Sequence, residues 1–308
     1  MEEPVVYLGG QFVPASEAKL DLHDAGIMAG VAITDMTRTF RHIPFKLDEH
    51  IERFYMSAKY TSIDIRLSKT EMKDKTLELI DINSKLIDEN QDLGVVHFAT
   101  PGVRTVGSTV AEGLHQVKGS MTPTLGIQSW PLLFDKHRHM FVDGAHVVTP
   151  SIRHVPSQSL DPRTKHRNRL HFHVADQQSH SVDPNATSLL LDLSGNITEC
   201  TGANFVMVRD RTIYSPTSSS ILQGVSLQTI RELAPKLGLG FQEKDLQPYD
   251  VINADEAWLT STPFSIAPAT KINNIPIGNG DIGPLFREMI QAWSELVDCN
   301  ILGQIVEP

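Results

Sequence analysis

Between Arg163 and Arg169 the chain reads Arg-Thr-Lys-His-Arg-Asn-Arg, five basic or potentially basic side chains in seven positions of a protein whose formal net charge is −10. Eight of its 13 histidines also fall between His137 and His180. A solvated helix face is the commoner explanation for such a run. The alternative is a cation cluster around bound anions, and the neighbouring segments must decide. His171 and His173 raise a metal site, but residues two apart on a helix point to different faces and chelate poorly. No metal is expected. The phosphate loop GxxxxGK, the zinc motif HExxH and the nucleophile elbow GxSxG are all missing from the sequence.

The elements that must position these residues can be read in outline. Two β-rich runs around Gly9-Gly10 predict a hairpin. Leu47, Ile51, Phe54 and Ala58 share one helical face, and Ser68 with Glu71 forms a capping box that opens a helix to about Ile87. A strand follows and stops at Pro101-Gly102. From Gln128 to Gly144 the chain reads as irregular. A strand near His146–Thr149 comes next, then a helix after Lys165 that ends before Asp183-Pro184. Two hairpins follow, turning at Ser194–Asn196 and at Arg209–Arg211. A helix begins after Gly224, with Pro235 shortening or kinking its last turn. Then come a strand at Asp255–Thr262 and a closing amphipathic helix, whose Phe286 and Trp293 are expected in the core. Strands and helices do not alternate strictly, so an α+β fold is expected rather than a doubly wound sheet.

At 308 residues, 40% of them hydrophobic and 21% charged, the chain suggests two domains and an ordinary globular core. We place a small N-terminal α/β domain at 1–128, a linker at 129–143 and a larger C-terminal domain at 144–308. The acidic balance argues against nucleic acid as a partner, and no aromatic platform accompanies the basic run. Two cysteines, Cys200 and Cys299, exclude a disulfide scaffold and a thiolate zinc cage. The opening Met-Glu-Glu-Pro lacks a signal-peptide pattern and no apolar run is long enough to span a bilayer, so a cytoplasmic protein without a membrane segment is expected.

Four separated segments together resemble the class IV aminotransferase family, the fold-type IV pyridoxal-phosphate enzymes that include branched-chain and D-amino-acid aminotransferases and aminodeoxychorismate lyase. His-Ile-Glu-Arg53-Phe matches the family's H-x-x-R helix, Thr164-Lys165-His-Arg-Asn168 its lysine segment, Gly-Asn-Ile-Thr-Glu199 with Asn204 its G-x-[IV]-[ST]-E-x-x-x-x-N pattern, and Leu-Gln-Gly224-Val225-Ser226 its L-x-G-[IV]-[ST] turn. A fifth stretch, Asp255 to Thr262, is similar to its D-E-x-[FL]-x-[ST] strand. The resemblance implies a two-domain α+β fold like that of D-amino-acid aminotransferase, pyridoxal 5′-phosphate as cofactor, and a homodimer.

It also implies residue roles. Lys165 is the covalent anchor for the cofactor and the group that moves the proton, and positive neighbours favour its neutral, nucleophilic amine. Arg53 holds the cofactor phosphate, since a dianion suits a guanidinium fork. Glu199 sits against the pyridine nitrogen and keeps it protonated. Gly224, Val225 and Ser226 offer backbone N–H groups and a hydroxyl at a helix N-terminus to the phosphate. Ser261 and Thr262 hydrogen-bond phosphate or substrate carboxylate.

The departures from the pattern matter too. Leu227 replaces the usual arginine after the hydroxyl residue, and Thr34 to Arg38 occupy a stretch where branched-chain members carry other residues. Arg38, His97, Arg104 and Arg169 are each candidates for a substrate carboxylate. The implied activity is transfer of an amino group between an amino acid, branched-chain ones among the candidates, and a 2-oxo acid. Asn168-Arg169-Leu170 resembles the lyase's continuation, so a pyruvate-releasing lyase is the second reading and a non-catalytic homologue the third.

Overall fold

The computed structural model describes residues 3–104 and 122–307, and divides into two compact units. One comprises residues up to Leu132 together with Thr164–Asn168, the other Leu133–Arg163 and Arg169 onward. Residues 105–121, within the expected first domain, lie outside the described residues.

The first unit is built on an antiparallel six-stranded sheet. Its strands are β1 (Val5–Leu8), β2 (Gln11–Pro14), β3 (Ile33–Phe40), β4 (Ile43–Pro44), β5 (Leu93–Thr100) and β6 (Thr124–Pro131), in the order β2-β1-β6-β5-β3-β4. Leu8 pairs with Gln11, so Gly9 and Gly10 alone make the first turn. Both have positive φ, 61° and 101°, which a two-residue hairpin of this hand requires and glycine adopts without strain. Besides the short α1 (Ala25–Met28), two helices cover the sheet, α2 (Leu47–Thr61) and α3 (Lys69–Ser84). The capping box is present with both arms, Glu71 N–H to Ser68 Oγ at 3.2 Å and Ser68 N–H to Glu71 Oε2 at 2.8 Å. Helix α3 ends at Ser84, one turn earlier than the sequence predicts. Phe54, Met72, Leu79, Val95 and Ile127 form the centre of the core, each excluded from solvent. A fully buried Phe or Leu contributes about 1.5–3 kcal/mol, so this layer holds α2 firmly against β3.

The second unit surrounds a mixed sheet. Its strands are β7 (Ala145–Val148), β8 (Thr187–Leu191), β9 (Ile197–Cys200), β10 (Asn204–Arg209), β11 (Thr212–Ser215), β12 (Gly240–Glu243), β13 (Glu256–Ser261), β14 (Ser265–Ile272) and β15 (Ile275–Pro276). They run in the order β12-β11-β10-β13-β14-β7-β8-β9, with β15 beside β14. Its helices are α4 (Asp135–Val142), α5 (Leu170–His180), α6 (Val225–Leu233), α7 (Pro248–Ile252), α8 (Pro284–Leu296) and α9 (Ile301–Val306). Both predicted hairpins form, β8–β9 and β10–β11. After Leu233 the chain tightens into a 3-10 turn, Ala234–Leu237, because Pro235 cannot continue the α-helical ladder. Phe286 and Trp293 are buried on α8.

One expectation needs correction. Residues 129–143 are not irregular: they hold the end of β6 and all of α4. Helix α4 buries only Met140 and Phe141, the latter beside the Phe286 ring, so its apolar stripe is too short to show through the charged Asp135–His139 stretch.

Candidate active site

In the first unit the segment that carries Lys165 is held on two sides. Thr34 N–H donates to Lys165 O at 3.0 Å and Arg167 N–H to Ala32 O at 2.8 Å, so the segment makes a single antiparallel bridge, His166 to Ile33, at the start of β3. From the other side the Lys165 N–H donates to Ser57 Oγ of α2 at 3.1 Å, and that hydroxyl donates to Arg53 O. Lys165 is half-buried. Its backbone is therefore fixed by tertiary hydrogen bonds although it lies in no helix of its own.

Beneath it is a buried charge cluster. Asp35, mid-strand in β3 and without solvent exposure, receives Arg53 Nε and Nη2 at 2.8 Å each and lies 2.7 Å from His50 Nδ1. Burial alone would raise the Asp35 carboxyl. The adjoining Arg53 guanidinium and the His50 hydrogen bond outweigh it and hold the group far below the usual carboxylate range. His50 moves down, chiefly from burial, with the positive charges of Arg53 and Lys165 adding to the effect and Asp35 opposing it. Lys165 is thus close enough to His50 to be felt electrostatically. Arg53, the expected phosphate ligand, gives one edge of its guanidinium to Asp35.

Arg38 and His97 face other tasks. Arg38 is 1% exposed, donates to Asp92 Oδ2 at 3.3 Å and stacks over Phe40 with its guanidinium carbon 3.9 Å from the ring centroid. We therefore withdraw Arg38 as a carboxylate ligand for substrate: it neutralises a buried aspartate. His97 is fully buried beside Phe54, with Nε2 2.8 Å from Thr76 Oγ1, and burial pulls its pKa down to about 4. It too is withdrawn, being a neutral core histidine. Arg104 is exposed, with its N–H bound to His23 O.

In the second unit Glu199 lies on β9, 9% exposed. Its Oε2 accepts from Asn204 Nδ2 at 3.2 Å and from Leu222 N–H at 3.1 Å, and its Oε1 lies 3.3 Å from His154 Nε2. The Asn204 amide does more than order a turn. Nδ2 also donates to Leu222 O at 2.8 Å, while Oδ1 lies so near Gly224 that a Cβ at that position would collide with it. Gly224 is required by space rather than by φ, which is −69°. It caps α6 with no side-chain bond, and the first backbone bond of the helix is Gln228 N–H to Gly224 O at 3.0 Å. The N–H groups of Val225, Ser226 and Leu227 therefore have no acceptor within the helix, which suits an anion at this end.

Three more sequence candidates lie in the second unit. Arg169, which precedes α5, donates to Thr201 O and stacks over Phe172 at 4.7 Å. Ser261 Oγ donates to Gly202 O at 2.7 Å, and Thr262 follows it, half-buried. Among the described residues, no group of three or more His, Cys, Asp or Glu side chains is arranged to hold a metal. His171 and His173 both lie on α5.

The model of one family, Amino-transferase class IV, matches residues 32–272, more than half of the chain. The chain belongs to that family. Among relatives of this class IV aminotransferase, a protein of Methanocaldococcus jannaschii assigned as a branched-chain-amino-acid aminotransferase is 30% identical, over 94% of this chain and 96% of its own length. A D-alanine aminotransferase of Bacillus licheniformis is 29% identical over 92% and 94%. A solved branched-chain amino acid aminotransferase of Escherichia coli superposes with a TM-score of 0.84 at 21% identity, covering 96% of this chain and 95% of that one. The class IV aminotransferase here thus has the fold-type IV architecture implied by its motifs.

Asp35, His50 and His154 belong to these clusters and carry no site assignment from the sequence. An aspartate in the middle of strand β3, where that residue type is disfavoured, is a visible oddity. His154 offers no such signal, because its partner lies on a distant strand.

Proposed function

We propose that this class IV aminotransferase is a pyridoxal-phosphate enzyme that moves an amino group from an amino acid to a 2-oxo acid. The observation that carries the reading is the Glu199 carboxylate, held by two neutral donors with His154 Nε2 3.3 Å from its other oxygen, beside the start of a helix whose first N–H groups have no intrahelical acceptor. These residues fit the cofactor: a fixed carboxylate matches a protonated ring nitrogen, the glycine-capped helix end matches a phosphate, and a lysine on a fixed backbone can anchor an aldehyde. When bound, pyridoxal phosphate supplies an electron sink for the pair left behind when the substrate Cα–H bond breaks.

The chain's residues then divide the work. Lys165 Nζ would hold the cofactor covalently and, as a free amine, would take up the proton from the substrate Cα. Glu199 holds the proton on the ring nitrogen. Gly224, Val225 and Ser226 would bind phosphate through backbone and hydroxyl, and the family motifs assign Thr262 and Arg53 to a phosphate role as well. Arg169, Ser261 and Arg104 stay as candidates for substrate carboxylates.

Branched-chain amino acids and D-alanine are the first donors to test, since relatives bear both names. The first unit, to Leu132, is assigned as the small domain and the second as the cofactor-binding one. A cytoplasmic homodimer is part of the proposal. Leu22, Ile27, Met28 and Val31 expose apolar surface along one short segment, which a second copy would cover. No helix among the described residues is long and apolar enough to cross a membrane.

The test is direct. Purified protein with pyridoxal phosphate should be yellow, borohydride should fix the cofactor to Lys165, and Lys165→Ala should lower turnover on the order of 10⁴-fold or more. Wild type that neither takes up the cofactor nor is labelled at Lys165 would sink the proposal. Repeated turnover without an acceptor oxo acid would replace it with the lyase.

A further inference from the structure

The two ring nitrogens of His154 both face oxygen atoms that can only accept. Nε2 lies 3.3 Å from Glu199 Oε1 and Nδ1 lies 3.0 Å from Val155 O. A neutral imidazole has one N–H and would leave a nitrogen lone pair against an oxygen lone pair, whereas the imidazolium satisfies both contacts. The ring is also fixed in place. It is 7% exposed, its own backbone N–H donates to Leu191 O at 2.9 Å, and it packs edge-on against His171 and obliquely against Phe172, each at 5.7 Å. Segment 153–154 runs beside the end of β8, so backbone pairing sets the height at which the imidazole meets Glu199.

Glu199 is consequently held unevenly. Oε2 has two neutral donors, Asn204 and Leu222, while Oε1 has a cationic one. We propose that His154 is a positioning residue for Glu199, a charged donor that fixes which way the carboxylate faces, so that a proton shared with the cofactor ring stays on the ring nitrogen. This rests on the role given to Glu199 above and extends it one residue outward.

The surroundings agree in sign. Burial by itself would push the His154 pKa down, but the hydrogen bond and charge of Glu199 raise it above the ordinary value. The other titratable groups here are His171 across the ring edge, Arg169, whose pKa burial lowers while the charges of Glu199 and Asp176 oppose the shift, and Cys200, which burial holds as the thiol. None supplies a second anion in contact with His154, so Glu199 is the partner that sets its charge.

The experiment uses the full chain, first without cofactor and then reconstituted with pyridoxal phosphate. Histidine ¹⁵N NMR of the apoprotein, with the His154 signals assigned from their loss in His154→Gln, should show both nitrogens protonated near neutral pH. In Glu199→Gln the same ring should titrate at clearly lower pH. In the reconstituted protein, His154→Ala should still bind the cofactor at Lys165 and keep the KM for the amino donor within about twofold. Its kcat should fall about tenfold or more and the acid limb of its pH profile should move upward. His154→Gln, which restores a neutral donor, should recover most of kcat but not the pH profile. An unchanged kcat and pH profile in His154→Ala, or a His154 titration indifferent to Glu199→Gln, would overturn the inference. If His154→Ala fails to fold, the NMR titration and His154→Gln decide it. Wild type that binds no pyridoxal phosphate removes the proposed function and this inference together. Wild type that binds it while the His154 variants behave normally removes this inference alone.

Discussion

In the first unit Asp35 takes both Nε and Nη2 of Arg53 and sits 2.7 Å from His50; in the second, Glu199 takes two neutral donors on one oxygen and His154 on the other. Each is a buried carboxylate with a histidine beside it, yet the two histidines shift in opposite directions, His50 down and His154 up. The guanidinium explains the difference. Where Arg53 already neutralises the aspartate, a second cation would be excess, and burial keeps His50 neutral. Among the described residues no arginine is bonded to Glu199, so its histidine takes the charge. A carboxylate closed off by a guanidinium fork serves architecture, whereas one held only at its edges can still receive a proton donor from a ligand.

The two clusters should therefore fail differently. Glu199→Gln should leave folding nearly intact and lower turnover on the order of 10²–10³-fold, because it removes a charge needed as the reaction proceeds. Steady-state kinetics beside a thermal melt would show this, and equal damage to both readouts would break the contrast. Asp35→Asn should do the reverse in first effect. It strands a buried guanidinium, at a cost of about 3–5 kcal/mol, read as a lowered urea midpoint. Gly224→Ala comes next. The added methyl runs into Asn204 Oδ1 and should cost about 1–3 kcal/mol of strain. Because that amide also holds Glu199, weaker cofactor binding should accompany the loss.

The smallest effect is a matter of pH. A histidine whose pKa is raised on folding stabilises the protein fully below its unfolded value of about 6.5, and that stability is lost as pH rises through the folded pKa. The stability gap between wild type and His154→Gln should thus be about 1 kcal/mol in mild acid and close at alkaline pH. His50 runs the other way: with its pKa lowered, it favours folding above about 6.5 and opposes it as pH falls. Denaturant midpoints over a pH series would separate the two, and a gap that widens with rising pH would refute the assignment for His154.

Signals that act within a few residues were open to inspection in the sequence. Gly9-Gly10, the Ser68–Glu71 box and the Pro235 break each depend on local backbone chemistry, and each forms in the structure. The family motifs, too, single out Lys165 and Glu199 for the roles proposed here. What the sequence does not display is which side chains neutralise one another. Arg38 and Arg53 look alike as cations on amphipathic elements, but Asp92 and Asp35, brought up by other strands or positions, decide what each arginine faces. The pairing of His154 with Glu199 depends on the path of the chain beside β8, which no short-range pattern encodes. Helix α4 stayed hidden for a different reason, since two buried residues make no periodic signal.

The Asn204 amide has a consequence for redesign. Its nitrogen side is committed to Glu199 and Leu222 while its oxygen fills the space a side chain at 224 would need. Position 224 therefore cannot be enlarged without changing 204, and 204 cannot be changed without loosening Glu199. A library that randomises the turn before α6 to accept a different anion would be blocked at Gly224 unless residue 204 is shortened with it, and shortening 204 lets Glu199 swing. Recoding all three as a single codon block is the way to move through that space.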